Sequence, residues 1–108
     1  MYLTILHGHV KNENWHKLEE SFERKAKHSP EGLQQSFLTH CEEDRLEWNI
    51  ISIWRSKEAY NEAKAAGQAD TFVDLFCDAG TTPEKLHYNV VERFLRVAGD
   101  EDSTPNRK

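Results

Sequence analysis

The sequence predicts an α+β domain, a four-stranded antiparallel sheet with helices packed on one face. Three observations carry that reading. Segments of period-two alternation are separated by segments of helical spacing, in the order strand, helix, strand, strand, helix, strand. The stretch from Leu46 to Trp54 is rich in β-branched and aromatic residues and is apolar on both sides. Leu46, Trp48, Ile50, Ser52 and Trp54 fall on one face, and Asn49, Ile51 and Ile53 on the other. A strand of that kind has to be covered on both faces, and this chain has helical sequence enough for one.

Tyr2 to Val10 reads as the first strand, with Leu3 and Ile5 on one face and Tyr2, Leu6 and Val10 on the other. A helix follows from Asn12 or Asn14 to about Lys27, where Trp15, Leu18, Phe22 and Ala26 make one apolar stripe. Ser29-Pro30-Glu31-Gly32 turns the chain into a second strand, Leu33 to Cys41. The polar segment Glu42 to Arg45 joins it to the central strand as a hairpin. Ser56 has the chemistry of a helix N-cap, Glu58 suits the first turn, and Gly67 is the expected C-cap. Asp70 is expected to cap a short helix, Thr71 to Ala79, that carries Phe72, Val73, Leu75 and Phe76. Leu86 to Val97 reads as the last strand, with Leu86, Tyr88, Val90 and Phe94 alternating against polar neighbours. Residues 98–108, rich in Asp, Ser, Pro and Asn, are expected to form a disordered tail, which leaves residues 1–97 as one domain. The order is the split βαβ, ferredoxin-like arrangement.

The 108-residue chain is 37% hydrophobic and 31% charged. So thin a core favours further burial by self-association, and a homodimer through the helix-free face is the expected state. The net charge of −5 and the lack of any Lys or Arg run exclude a nucleic-acid surface. Met1 to Val10 has neither the basic start nor the long apolar stretch of a signal peptide, and no segment has the length of a membrane span. No membrane association is expected. Cys41 and Cys77 form no motif and read as the reduced thiols of a cytoplasmic protein.

His7 and His9 share one face of the first strand, as a spacing of two requires. Such a pair can ligate a metal, but no spacing enforces a third ligand, His40 included, and no metal is expected. His7 is better motivated as a general base, since imidazole exchanges protons near neutral pH. His16, His28 and His87 carry no pattern and read as surface or rim residues. No Gly-rich phosphate loop, nucleophile elbow, Cys-x-x-Cys pair or paired-carboxylate motif occurs, so flavin and nicotinamide have no local support and no cofactor is expected.

At Trp54-Arg-Ser-Lys-Glu-Ala-Tyr60 the chain resembles the antibiotic-biosynthesis monooxygenase family of dimeric α/β barrels. Pro30-Glu31-Gly32 stands where that family has a Pro-Gly turn, and Phe72 to Phe76 where its second helical region carries aromatics. The likeness spans roughly Met1 to Val97. It implies two sheets closed on each other as a dimeric barrel. It also implies a pocket lined by Trp54 and Tyr60, as in the anthrone-type oxygenases, with His7 as the candidate base and Phe22, Ala63 and Phe76 as candidate substrate contacts. Those oxygenases carry an Asn four residues before the Trp. Ile50 stands there in this chain, and Asn49 is expected to face the other way. Haem-degrading members match less well, because their proximal His falls at Phe76, their helix-two Trp near Ala63, and their strand-one Asn at or beside His7. Haem cleavage is not expected.

The implied function is that of a cofactor-independent monooxygenase for a small aromatic substrate of anthrone, quinol or phenol type. A dry aromatic pocket would orient the substrate, and a base would deprotonate it for direct reaction with dioxygen. The alternative is a non-catalytic homodimer that binds a small apolar ligand, which the missing Asn favours. Trp54 serves the core of the fold under either reading.

Overall fold

The computed structural model describes residues 1–96. Its elements are β1 (Tyr2–His9), a 3-10 turn at Asn12–Asn14, α1 (Trp15–Ala26), β2 (Leu33–His40), β3 (Glu47–Trp54), α2 (Lys57–Ala65), α3 (Val73–Asp78) and β4 (Glu84–Asn89). The strands form one antiparallel sheet in the order β2-β3-β1-β4. The α+β class and the four-stranded antiparallel sheet read from the sequence are those of the molecule. The expected tail, residues 98–108, lies outside the described residues, as does the end of the expected domain at Val97.

The sheet faces follow from the register. Tyr2 lies opposite Trp54, Leu6 opposite Ile50 and Gly8 opposite Trp48. On β3, Trp48, Ile50, Ser52 and Trp54 are buried beneath the helices. The larger core joins Trp48 and Ile50 to Val10, Leu18, Phe72, Leu75, Phe76 and Ala79, and Trp15, Phe22 and Ala26 pack on it as the stripe of α1 requires. A smaller cluster holds Tyr2, Trp54, Tyr60 and Ala63. Gly8 lets α3 come this close, because a Cβ at that position would stand 2.8 Å from Cδ1 of Phe76.

The helix ends bear out the residues that signal them. Ser56 Oγ accepts the backbone N–H of Ala59 at 3.0 Å and caps α2. At the other end Gly67, at φ 74°, donates to Lys64 O while Gln68 donates to Ala63 O, a Schellman closure that needs the left-handed residue. Asp70 departs from its expected role. The helix after it starts only at Val73 with no side-chain cap, and the Asp70 carboxylate turns to Lys85 Nζ at 3.0 Å.

The last strand is also corrected, from Leu86–Val97 to Glu84–Asn89. Its pairing with β1 ends at Tyr2–Asn89, and one more bond joins Val90 N to Met1 O. Beyond Val90 nothing on β1 lies opposite, so the ladder stops. Val91, Phe94 and Leu95 are left exposed at 89%, 81% and 65%.

The second face of the sheet carries three cross-strand rows. Gln35, Ile53, Leu3 and Tyr88 form one, and Phe37, Ile51, Ile5 and Leu86 the next. Thr39, Asn49, His7 and Glu84 form a third, polar row. Phe37 and Tyr88 are each 48% exposed, the expected state of an apolar face that the chain's own helices do not cover. Among the described residues no helix is long and apolar enough to cross a membrane.

The Gly8–Phe76 contact generates a test. Gly8→Ala should cost about 1–3 kcal/mol, the usual range for overpacking. Phe76→Ala should cost about 3–5 kcal/mol, because the ring is fully buried. Combining Gly8→Ala with Phe76→Leu should recover part of the first loss in urea unfolding. An unchanged midpoint for Gly8→Ala would mean that α3 does not bear on β1 in this way.

Candidate active site

One polar row crosses the helix-covered face. Register pairs Ser36 with Ser52, Ser52 with Thr4 and Thr4 with His87, so three small hydroxyl side chains and one imidazole span all four strands. Ser36 and Ser52 share a hydrogen bond of 2.8 Å between their hydroxyls, which satisfies the buried Ser52. Thr4 Oγ1 accepts the indole N–H of Trp54 at 3.1 Å. An indole buried at a strand end needs such an acceptor, so Thr4 fixes the Trp54 ring.

Aromatic rings close over the β1–β4 end of this row. The Ser56 cap sets the first turn of α2 and thereby aims Tyr60 back at the sheet. Its ring stands edge-on to Trp54 at 5.2 Å and is 5.4 Å from Tyr2. The His87 ring lies 5.4 Å from Tyr60 and 6.1 Å from Tyr2. Burial pushes the Tyr60 hydroxyl above the usual phenol range, against the opposing pull of Lys85. Tyr60 therefore presents an O–H donor at neutral pH rather than a phenolate.

These groups line a cleft between the sheet and the α2–α3 connection, with Thr4, Ser52, Trp54, Tyr60, Phe72 and His87 among its walls. It encloses about 370 Å³ counted out to its open mouth, of which about 20 Å³ admits the centre of a water molecule. That is room for roughly one ordered water, so a larger guest has to part the walls. The Asp70–Lys85 ion pair bridges from the connection to β4 at the cleft. His87 is exposed, which gives a proton taken up in the cleft a path to solvent.

The structure brings together two of the sequence-predicted site residues, Trp54 and Tyr60. Ala63 backs them within the core cluster and does not line the cleft. Phe22 stacks behind Phe72 at 5.2 Å and reaches the cleft only through it. Phe76 is fully buried against Gly8. These three support the walls and do not meet a guest.

His7 is on the opposite face. Its Nδ1 lies 2.9 Å from Asn49 Oδ1, and both residues point away from the helices. Strand alternation puts it out of reach of Trp54, so it is not the base of this cleft. Asn49 faces as expected, and Ile50 is core. Thr4 and Lys85 carry no expectation from the sequence, Asp70 is expected only as a helix cap and His87 only as a surface or rim residue, yet all four line the cleft. A signal existed for two of them, since Lys85 and His87 are spaced by two and so share a face. The apolar Leu86 and Tyr88 between and after them belong to the other side.

A family model described as antibiotic biosynthesis monooxygenase matches residues 1–75, from β1 into α3. Among solved structures, one assigned as an antibiotic biosynthesis monooxygenase from Deinococcus radiodurans superposes with a TM-score of 0.70 at 13% identity, covering 91% of this chain and 100% of that one. Another so assigned, from Nitrosomonas europaea, gives 0.67 at 16%, covering 85% and 100%. A mutant of SnoaB from Streptomyces nogalater, a cofactor-independent oxygenase, gives 0.67 at 14%, covering 88% and 98%. Identities this low speak for the fold alone. No curated protein matches the sequence. The family match takes in well over half of the chain, including Trp54, Tyr60 and the strands beneath them, and by it the chain belongs to the antibiotic biosynthesis monooxygenase family.

Proposed function

We propose that the cleft is the active site of a cofactor-independent monooxygenase for a small phenol- or quinol-like aromatic. The observation that carries this reading is the polar row that ends in His87 beneath the Trp54–Tyr60–Tyr2 rings. An aromatic substrate stacks among those rings with its hydroxyl toward Thr4 and His87. The His87 imidazole takes the hydroxyl proton, and the Tyr60 O–H stabilises the oxyanion that forms. The electron-rich ring then reacts with dioxygen at carbon. Loss of water from the hydroperoxide leaves a quinone carbonyl, so one oxygen atom enters the product and the other leaves as water. The substrate supplies all four electrons, and no external reductant is consumed.

The solved oxygenase SnoaB, with the same fold, supports chemistry without a cofactor. The unpaired Cys41 and Cys77 fit a cytoplasmic setting.

The reading includes a homodimer on the helix-free face. Two apolar rows with half-exposed Phe37 and Tyr88, and exposed Leu95 near Leu3 and Ile53, suit a second copy of the same surface. Ile51 sits near the centre of that face, so Ile51→Arg should yield monomers or insoluble protein in sedimentation velocity. Wild type that runs as a stable monomer at micromolar concentration would remove the dimer.

Activity is tested by oxygen uptake on a panel of naphthols and hydroquinones with no added flavin, metal or nicotinamide. His87→Gln should slow turnover by about a hundredfold or more, the usual size of a general-base loss. His7→Ala should leave the rate unchanged. Trp54→Phe keeps most of the wall and should chiefly raise KM. Substrates that bind tightly but are turned over no faster than in buffer would decide for the ligand-binding alternative. Normal turnover by His87→Gln would remove the assigned base.

A further inference from the structure

We propose that His7, His9 and Glu47 form a divalent-cation site on the helix-free face, separate from the cleft. The ligating atoms of the three side chains already lie within 4.8 Å of one another. Sequence spacing left the histidine pair without a third ligand and led to the expectation of no metal. The β1–β3 register supplies that ligand, because Glu47 stands opposite His9 and one step along from Asn49, the partner of His7. His40 is ruled out for the role. It is on the helix side, its ring stacked on Trp48 at 4.0 Å.

The geometry is close to a coordination polyhedron. His7 Nδ1 is 3.5 Å from Glu47 Oε2, and metal–ligand bonds of roughly 2.0–2.1 Å set a tetrahedral edge of about 3.3 Å. The longer separations close by small adjustments of the His9 and Glu47 side chains, which are 56% and 28% exposed. His7 would exchange its hydrogen bond to Asn49 Oδ1 for the metal, while Asn49 Nδ2 still holds Glu47 Oε2 at 3.2 Å.

His9 comes with a ready orienting partner. Its Nε2 lies 3.1 Å from Asp44 Oδ2, so that with Nε2–H donated to the carboxylate, Nδ1 is the free ligand. A carboxylate behind a ligating histidine fixes its tautomer and orientation. All three ligands come from paired strands, which preorganises them. Glu84, opposite His7 on β4, adds a further carboxylate to that side of the face. Two imidazoles and one carboxylate suit Zn²⁺ or a neighbouring first-row divalent ion rather than Ca²⁺ or Mg²⁺. Three protein ligands leave a position open to water or to a small anion.

The test uses the full-length chain, stripped with chelator and titrated with Zn²⁺ by calorimetry and with Co²⁺ by visible absorption. One ion per chain is expected, with Co²⁺ bands of low-coordinate nitrogen and oxygen ligation. His9→Ala and Glu47→Gln should each weaken binding by about tenfold or more, and Asp44→Asn by about 10- to 100-fold. His16→Ala, in the exposed His16–Glu20 pair, should change nothing. His9 is exposed in the single chain but shares its face with the proposed dimer, so sedimentation velocity of the variant beside wild type separates loss of the ion from loss of the dimer. Absence of saturable binding would overturn the proposal. So would binding that survives both His9→Ala and Glu47→Gln, or that His16→Ala weakens equally.

Discussion

The register of β1 against β3, with Tyr2 opposite Trp54 and His9 opposite Glu47, is the constraint on which the molecule depends. A slip of one residue would send every side chain of β1 to the other face. Apolar pattern alone selects weakly here, because Leu3 and Ile5 on one side are matched by Tyr2 and Leu6 on the other. Two local features make the choice. Gly8 is the only β1 residue small enough to sit beneath Phe76, and Thr4 brings a hydroxyl to the Trp54 indole. The slipped arrangement would press a histidine ring under α3 and leave the Trp54 N–H unpartnered. Both changes are costly in a buried setting.

The two faces then acquire opposite characters. On the helix side most polar groups are internally satisfied, as in the Ser36–Ser52 and Trp54–Thr4 bonds. The indole N–H of Trp48 is an exception, buried without a partner, at a cost of about 1–3 kcal/mol. Its ring nonetheless stacks on His40 at 4.0 Å and meets Trp15 edge-on at 5.8 Å, which supplies compensating aromatic contact. On the other side the polar groups cluster at the β2–β3 hairpin end. There the Leu46 backbone N–H, and after it His9, hold the Asp44 carboxyl below the usual carboxylate range. That turn sets where Glu47 enters β3.

Much of this was legible in the sequence, and the failures have one cause. Strand and helix periodicity gave the element order, the α1 stripe, the Ser56 cap and the Gly67 end, because each is a local property of a few residues. It also told which residues of one strand share a face. It could not tell which face of β1 joins which face of β3 or β4, since that phase is decided by contacts distant in sequence. Hence the proximity of Trp54 and Tyr60, linked through a single turn, is legible in the sequence, whereas the opposite face of His7 and the approach of His87 to Tyr60 are not. Phe22, Ala63 and Phe76, expected as substrate contacts, pack in or against the core instead. The length of β4 depended likewise on where its partner on β1 ends.

The Asp70–Lys85 pair is a weak tie across the cleft. Its side chains are 60% and 42% exposed, and an ion pair in such a setting contributes about 0.2–1 kcal/mol. By itself it biases the joined over the parted arrangement by only about 1.4- to 5-fold. The tie therefore sets only a slight preference between those two arrangements. Added salt weakens it further, so the burial of Phe72 and Tyr60, at 6% and 7% exposed, holds that side of the cleft far more than the charge pair does.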